Sequence, residues 1–424
     1  MKGLVALALA YVLSQFYRSF LAVLTPQLTQ ELGASKSDLS LAAGIWFISF
    51  ALMQFVVGVC LDRFGPRRTT TGLFGIAATA GALIFATAQT PLAIVIARCL
   101  FGIGCAPVLM ASLFIFAQRF NPATFAIMTS WLVAFGNTGN VIGASPLAQA
   151  VELFGWRPTL LALAAITFVI SVLVFIFVKD PPSVQSSTPG ASKSDAHSNG
   201  SPEPDSIPND TPRSDAGLRG YLSLLKIRTL WAIMAMTLLC YAPVVGIRGL
   251  WSGPYLFDLY QADSIQIGRI TLYMAIAMII GSLLYGPLDR LLNTRKWVVF
   301  SGNLMVLCAL GVLILYPSGN LAMATIVFTI IGICGTSYGV IMAHGRSFVP
   351  QHLLGRGVTL INFCSMFGAG IMQFASGRLM DAQAQPGSID SYQVLFGFYG
   401  VMLAVALVVY LGSTDSKPSK AVVV

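Results

Sequence analysis

A short basic turn set between two long apolar runs occurs twice in this chain, and it constrains the fold more than any other feature. The first copy is Gly58-Val-Cys-Leu-Asp62-Arg63-Phe-Gly65-Pro-Arg67-Arg68, flanked by apolar runs from about Leu39 to Leu61 and Thr71 to Ala88. Crossing a bilayer takes about 20 apolar residues, so each run reads as a spanning helix. The second copy is Tyr285-Gly286-Pro-Leu-Asp289-Arg290-Leu-Leu-Asn-Thr-Arg295-Lys296, and its flank repeats as well: Ser37 to Arg63 reads like Ser264 to Arg290. Two copies of one unit predict a chain built as two related halves. In the first copy Gly58 permits close helix contact, and Asp62 caps a helix end or pairs with a guanidinium. Arg63, Arg67 and Arg68 hold the turn on the cytoplasmic side.

Hydrophobic residues make up 56% of the 424 and charged residues 10%, against about 25% charged in a soluble domain. Twelve membrane-length stretches are expected, six on each side of a polar middle. The reading divides the chain into a helical bundle over 1–180, a disordered linker over 181–220, a second bundle over 221–412 and a tail over 413–424. The linker is rich in Ser, Pro, Asp, Gly and Asn and cannot bury enough apolar area to fold. Gly3 to Leu24 is read as the first helix, ended by Pro26 and Gln27, rather than as a cleaved leader.

The net charge is +9, but the basic residues do not gather into a groove for nucleic acid. They sort by side, on alternate loops and both tails, which places both termini and the linker in the cytoplasm. None of the seven cysteines forms a CxxC pair, and buried thiols acting as small hydrophobes are expected.

Three arginines, Arg18, Arg98 and Arg248, fall at membrane depth. A charge there costs at least about 2.5 kcal/mol and faces a cavity or a partner. No carboxylate lies deep in a helix to neutralise them; Glu152 and Asp258 sit near outer ends. Their planar donors suit an anionic or carbonyl-rich solute; the alternative is bonding to backbone carbonyls. Arg18 and Arg248, on the first helix of each half, are the stronger site candidates. Tyr17, Trp46, Trp251 and Tyr273, with Phe50, Trp131, Phe135 and Tyr241, offer aromatic planes for a flat heterocycle, or serve as packing and lipid anchors. Gln15, Gln54, Asn137, Asn140, Asn362 and Gln373 need polar partners, so a polar cavity between the halves is expected. Met274 and Met278 share a helix face. With Cys240, Met234 and Met236 they form an alternative path for a soft ion such as Cu(I), or adaptable packing. No nucleophile–base set appears, so neither an enzyme nor a cofactor is expected. Without a plain titratable group in the path, facilitated diffusion and coupling through an outer-end acid both stay open.

The first turn resembles the loop signature of the major facilitator superfamily, Gly-x-x-x-Asp-Arg-x-Gly-Arg-(Arg/Lys), at Gly58, Asp62, Arg63, Gly65, Arg67 and Arg68. The second copy, at Gly286, Asp289 and Arg290, is degenerate. Arg98 and Gly102 resemble the superfamily's Arg-x-x-x-Gly motif on the fourth helix. The fifth stretch carries Ser145-Pro146 where many antiporters have Gly-Pro, so that exporter feature is not carried over.

The resemblance implies an all-α membrane protein of two pseudo-symmetric six-helix bundles working by alternating access. The two turns and Arg98 would act as the conformational switch, the turns latching the inward-closed state. Arg248-Gly-Leu-Trp251-Ser-Gly-Pro254-Tyr255, Gly355-Arg356 and the stretch from Ser145 to Arg157 resemble the narrower CcoA-like branch, which includes copper and riboflavin importers. Its copper members carry Met-x-x-x-Met on the seventh helix and His-x-x-x-Met on the eighth. Here the eighth has Met274 and Met278, and no membrane histidine is expected. The expectation is therefore a monomeric importer of a small planar organic solute such as riboflavin in a bacterial inner membrane. Its partners are the solute and the bilayer. A copper importer and a drug or metabolite exporter are the alternatives.

Overall fold

Gly65 makes the first turn. Its φ of 79° and ψ of 163° lie where a side chain is strained, and Pro66 opens the next helix, a position that needs no N–H donor. The computed structural model describes residues 2–119, 128, 131–180, 223–350 and 354–417, without the side chains of residues 62, 117 and 354–356. The expected 181–220 linker and the side chain of Asp62 lie outside the described residues.

Among the described residues all regular structure is helical, and eleven helices are long and apolar enough to cross a membrane. They are α1 (Lys2–Leu32), α2 (Lys36–Leu61), α3 (Arg63–Ala86), α4 (Pro91–Phe116), α7 (Trp156–Phe177), α8 (Arg228–Tyr260), α9 (Ser264–Leu291), α10 (Lys296–Leu315), α11 (Leu321–Arg346), α12 (Gly357–Asp381) and α13 (Ile389–Leu411). Two short helices, α5 (Thr138–Ile142) and α6 (Ser145–Phe154), fall in the fifth expected stretch, which lies partly outside the described residues. Pro146 at the first turn of α6 breaks this stretch after Gly143.

Helix ends depart from expectation where proline was read as a stop. Pro26 does not end α1. It sits in the first turn of a further helix, Thr25–Leu32, that Gly33 closes at φ 63°. Between the two parts lies a 3-10 segment, Phe20–Leu24. In α8, Pro243 likewise begins a new turn, a π segment spans Ile247–Trp251, and the helix runs on to Tyr260. His344, expected in a loop, lies buried inside α11. It bonds the Tyr410 hydroxyl at 2.6 Å and the Thr414 carbonyl at 2.9 Å.

Contact between the first-half helices α1–α7 and the second-half helices α8–α13 is densest at the end opposite the basic turns, here called the far end. There α2 and α12 run antiparallel with glycine at the crossing. A Cβ on Gly44 would lie 2.7 Å from the Gly370 carbonyl oxygen, one on Gly370 2.6 Å from Ile48, and one on Gly377 would overlap the Ser40 hydroxyl. Gly268 of α9 approaches Ala148 of α6 in the same way, at 2.6 Å. Lys36 pairs with Asp258 across the halves, the Tyr392 hydroxyl donates to the same carboxylate at 2.7 Å, and Gln27 bonds Ser264 at 2.7 Å.

At the basic end the expectation of close contact at Gly58 fails for this state: a Cβ on Gly58 or on Gly286 would meet nothing within 4 Å. Nor does the Asp289 turn reach across the halves among the described residues. Asp289 pairs with Arg295 of its own turn at 3.4 Å, and Arg295 donates to Ser347 at 2.7 Å. Each turn is instead fastened by an acid that follows the last helix of its own half. The Arg67 N–H donates to Asp180 at 2.8 Å, and a Cβ on Gly65 would stand 2.7 Å from that oxygen. Asp415 accepts from the Thr294 hydroxyl at 2.6 Å and from the Lys296 and Arg295 N–H groups at 2.9 and 3.2 Å. Both acids thereby satisfy donors at a helix start that otherwise lack partners.

Candidate substrate site between the halves

Arg98 and the arginine pair Arg18 and Arg248 meet different fates. Arg98 is buried, donates its Nε to the Ala42 carbonyl at 3.1 Å and its Nη1 to the Tyr17 carbonyl, and stacks over Phe20 at 5.5 Å. The first α-helical part of α1 ends at Ser19, and carbonyls in a last helical turn lack their own partners. Arg98 satisfies one of them and ties α1, α2 and α4 together. It is a structural staple, as its second reading allowed.

Arg18 lies where α1 gives way to the 3-10 segment and points between the halves. It donates to Gln15 Oε1 at 3.1 Å and to the Met366 thioether at 3.3 Å. The rings of Tyr241, Phe47 and Trp46 stand 5.2, 5.5 and 5.7 Å from its Cζ. Arg248 occupies the π segment of α8, an irregularity that recurs at functional sites. It donates to Asn140 Oδ1 at 3.2 Å and to the Asn140 carbonyl at 2.7 Å, while Asn140 donates to Asn137 at 3.2 Å. Each arginine has a buried Nε with no partner. Among the described residues no carboxylate pairs with either one: the three ion pairs are Lys36–Asp258, Arg157–Glu31 and Arg295–Asp289.

Around these arginines gather groups that sequence reasoning had not joined. Gln15 donates to the Tyr11 hydroxyl at 3.0 Å, and Tyr338 donates to Asn362 at 2.5 Å. Met366 and Tyr11 were missed. Tyr11, Gln15 and Arg18 fall at i, i+4 and i+7, one helix face, and that spacing was available as a signal. Met366 carried none, since its role depends on α12 meeting α1.

The Major Facilitator Superfamily profile matches residues 7–373 and again 254–423. The chain belongs to the major facilitator superfamily. Among curated relatives of this superfamily member, it is 27% identical over 181 residues to the hexuronate transporter of Bacillus subtilis (strain 168), covering 42% of each chain. It is 22% identical over 431 residues to the membrane sensor protein UhpC of Escherichia coli (strain K12), covering 94% of this chain and 90% of the other. The alignments span about two-fifths of the length of the first of these relatives. A bacterial homologue of the human lysosomal transporter Spinster, in an inward-facing, unoccupied conformation, superposes with a TM-score of 0.74 at 17% identity, covering 96% of this chain and 95% of that one. It shows the fold. The narrower likeness to the CcoA-like branch finds no support among these proteins.

In this superfamily member most of the remaining candidates serve packing. Tyr17 is buried, stacks on Phe101 at 4.1 Å and bonds the Thr167 hydroxyl at 2.7 Å. Trp46 is buried against Phe50 and Phe47, and the Trp251 indole N–H donates to Ser376 at 2.9 Å. Gln54 and Gln373 are buried: Gln54 turns to its own helix at Phe50, and Gln373 Oε1 has no partner. Tyr273 shares an exposed apolar stripe of α9 with Ile276 and Ile280. Met274 is buried against Gly332, Met278 packs on the core, and the Cys240 thiol donates to the Thr237 carbonyl, so these three act as packing. Of the switch residues, Arg67 lies over Phe175 at 4.2 Å, Arg63 lies over its neighbour Phe64 at 5.4 Å, and Arg68 and Arg290 are exposed.

Proposed function

We propose that this chain carries a small organic anion across the membrane by alternating access, with Arg18 and Arg248 receiving the anionic group. One observation carries the reading: two guanidinium groups on corresponding helices face the seam between the halves, both without a carboxylate partner among the described residues. Leaving a charge unneutralised at membrane depth is costly, and an arriving anion removes that cost. Bidentate recognition of a carboxylate or phosphate is what the planar guanidinium does best. The partners now held by the arginines are neutral and exchangeable, an amide, a thioether and a carbonyl. The name of the hexuronate-transporting relative describes such an anion.

A flavin cargo has less behind it, because Tyr17, Trp46 and Trp251 are committed to packing. Import as the direction rests on the same branch likeness. A second reading, a ligand-binding sensor, takes its support from the near full-length similarity to UhpC.

The test is counterflow in proteoliposomes with labelled hexuronate, a labelled sugar phosphate and labelled riboflavin. Uptake of an anion that falls by at least about tenfold in Arg18→Gln and in Arg248→Gln is expected, since a hydrogen bond to a charged group contributes about 1.5–3 kcal/mol. Riboflavin uptake indifferent to both substitutions would overturn the anion assignment, and saturable binding without uptake would favour the sensor.

A further inference from the structure

At the basic end of the first half, α1, α4 and α7 enclose a cavity of about 690 Å³ that takes no part in the seam. Its walls are apolar: Leu4 and Leu7 of α1, Ile115 of α4, and Phe177 and Val178 at the close of α7. Three cations stand around it, Lys2, Arg119 and Lys179, and no acid is among its lining residues. None of the three has an anionic partner among the described residues. The Lys2 ammonium lies over the Phe177 ring at 5.6 Å, and Arg119 donates to the Lys179 carbonyl at 3.4 Å. The nearest acid in sequence, Asp180, is turned away to the Arg67 N–H.

All three cations mark helix ends: Lys2 starts α1, Arg119 is the last residue of the helical run that begins at Pro91, and Lys179 follows α7. They therefore lie at one level, that of the lipid headgroups, with the apolar walls reaching inward from them. Gly3 fixes the floor by close approach, since a Cβ there would stand 2.6 Å from the Phe177 carbonyl oxygen.

We propose that this cavity is a binding site for an anionic phospholipid of the leaflet that meets the basic end, its phosphate held by Lys2, Arg119 and Lys179 and its acyl chain laid on Leu4, Leu7 and Ile115. A basic pocket between spanning helices at headgroup level, with apolar walls, matches an amphiphile that is anionic at one end only. A free anion would leave the apolar walls unused, and a zwitterionic lipid would set its own cation against three others.

The experiment is native mass spectrometry of the full chain in a nonionic detergent, titrated with phosphatidylglycerol and with phosphatidylcholine of identical acyl chains. Preferential retention of phosphatidylglycerol is expected, falling about fivefold for each cation removed, in Arg119→Gln alone and in the Lys2→Gln/Arg119→Gln/Lys179→Gln variant. The single variant keeps the test decisive if the triple variant does not fold. Equal retention of the two lipids by the parent would overturn the proposal, as would unchanged phosphatidylglycerol retention in both variants. Displacement of the lipid by glycerol phosphate at equal concentration would also overturn it, because the acyl chain would then contribute nothing and the cavity would be a vestibule for a soluble anion.

Discussion

The two ends of the seam between the halves differ in what their glycines do. At the far end Gly44, Gly253, Gly268, Gly370 and Gly377 are each pressed against the opposite half, where a methyl group would collide. At the basic end Gly58 and Gly286 face empty space. A small residue at a helix crossing lets backbones close, and only the far-end set is so used here, so the seam is closed at the far end and open at the basic end. Alternating access requires the two ends to exchange roles. On the alternating-access reading proposed above, the glycines of the basic turns would be contact positions of the other state, which the Gly58→Val prediction below tests.

The largest expected effect comes from breaking that asymmetry. Gly377→Val drives a side chain into Ser40, and overpacking of this kind costs about 1–3 kcal/mol. The far end should spring open, so a cysteine replacing Gln27 should react with a membrane-impermeant maleimide at least about fivefold faster than in the parent background. Gly58→Val meets nothing in this state and should leave thermal stability within about 0.5 kcal/mol of the parent, while transport falls because the basic end no longer closes. Equal destabilisation by the two substitutions would show that both ends are packed alike and would remove the contrast.

This asymmetry shows where the sequence stops being informative. The turn itself was legible, because Gly65-Pro66 is a local device whose geometry follows from two residue types. The depth of Arg18, Arg98 and Arg248 was legible too, since it needs only the apolar context on either side. The separate roles of these arginines were not. Arg98 becomes a staple because α1 changes pitch after Ser19 and leaves the Tyr17 carbonyl free, which nothing around residue 98 announces. Arg18 finds Met366 only once α12 lies beside it, a pairing 348 positions apart. Trp46 and Trp251 looked like cargo planes because an indole in an apolar run has the same local signature whether it faces a cavity or a neighbour. Pro26 misled for a related reason: proline stops a helix from behind but opens one from the front, and the choice lies with the residues it packs against.

A smaller effect sharpens the comparison at the far end. Lys36 and Asp258 bridge the halves with side chains 18% and 19% exposed. A pair of that exposure contributes about 1 kcal/mol, so Lys36→Gln should shift the far-end open-to-closed ratio about fivefold, read by distance measurements between spin labels on the ends of α2 and α8. Added salt should move the parent in the same direction and leave the variant nearly unchanged. The exchanged pair, Lys36→Asp with Asp258→Lys, should recover most of the closed population. A ratio unmoved by Lys36→Gln would mean that the glycine contacts alone hold this end shut.

The smallest effect concerns the basic end, where the turns are anchored to their own halves rather than to each other. Burial pushes the Asp415 carboxyl up, but the Thr294 hydroxyl, the Lys296 and Arg295 N–H groups and nearby His344 outweigh it and hold the carboxyl below its ordinary range. A carboxyl depressed on folding contributes stability that is fully present above its unfolded pKa, about 4, and is lost as pH falls through the lower folded value. Asp415→Ala should therefore lower the melting temperature by about 2 °C at neutral pH, the effect of losing a helix cap of about 0.5–1 kcal/mol. The gap to the parent should narrow below about pH 4. Asp180→Ala should cost a similar amount at neutral pH, since its carboxylate meets the start of α3 as Asp415 meets the start of α10. Neither substitution should change far-end maleimide labelling. If either does, the anchors reach beyond their own half, and the two ends of the seam are coupled through the turns rather than through the rigid bundles.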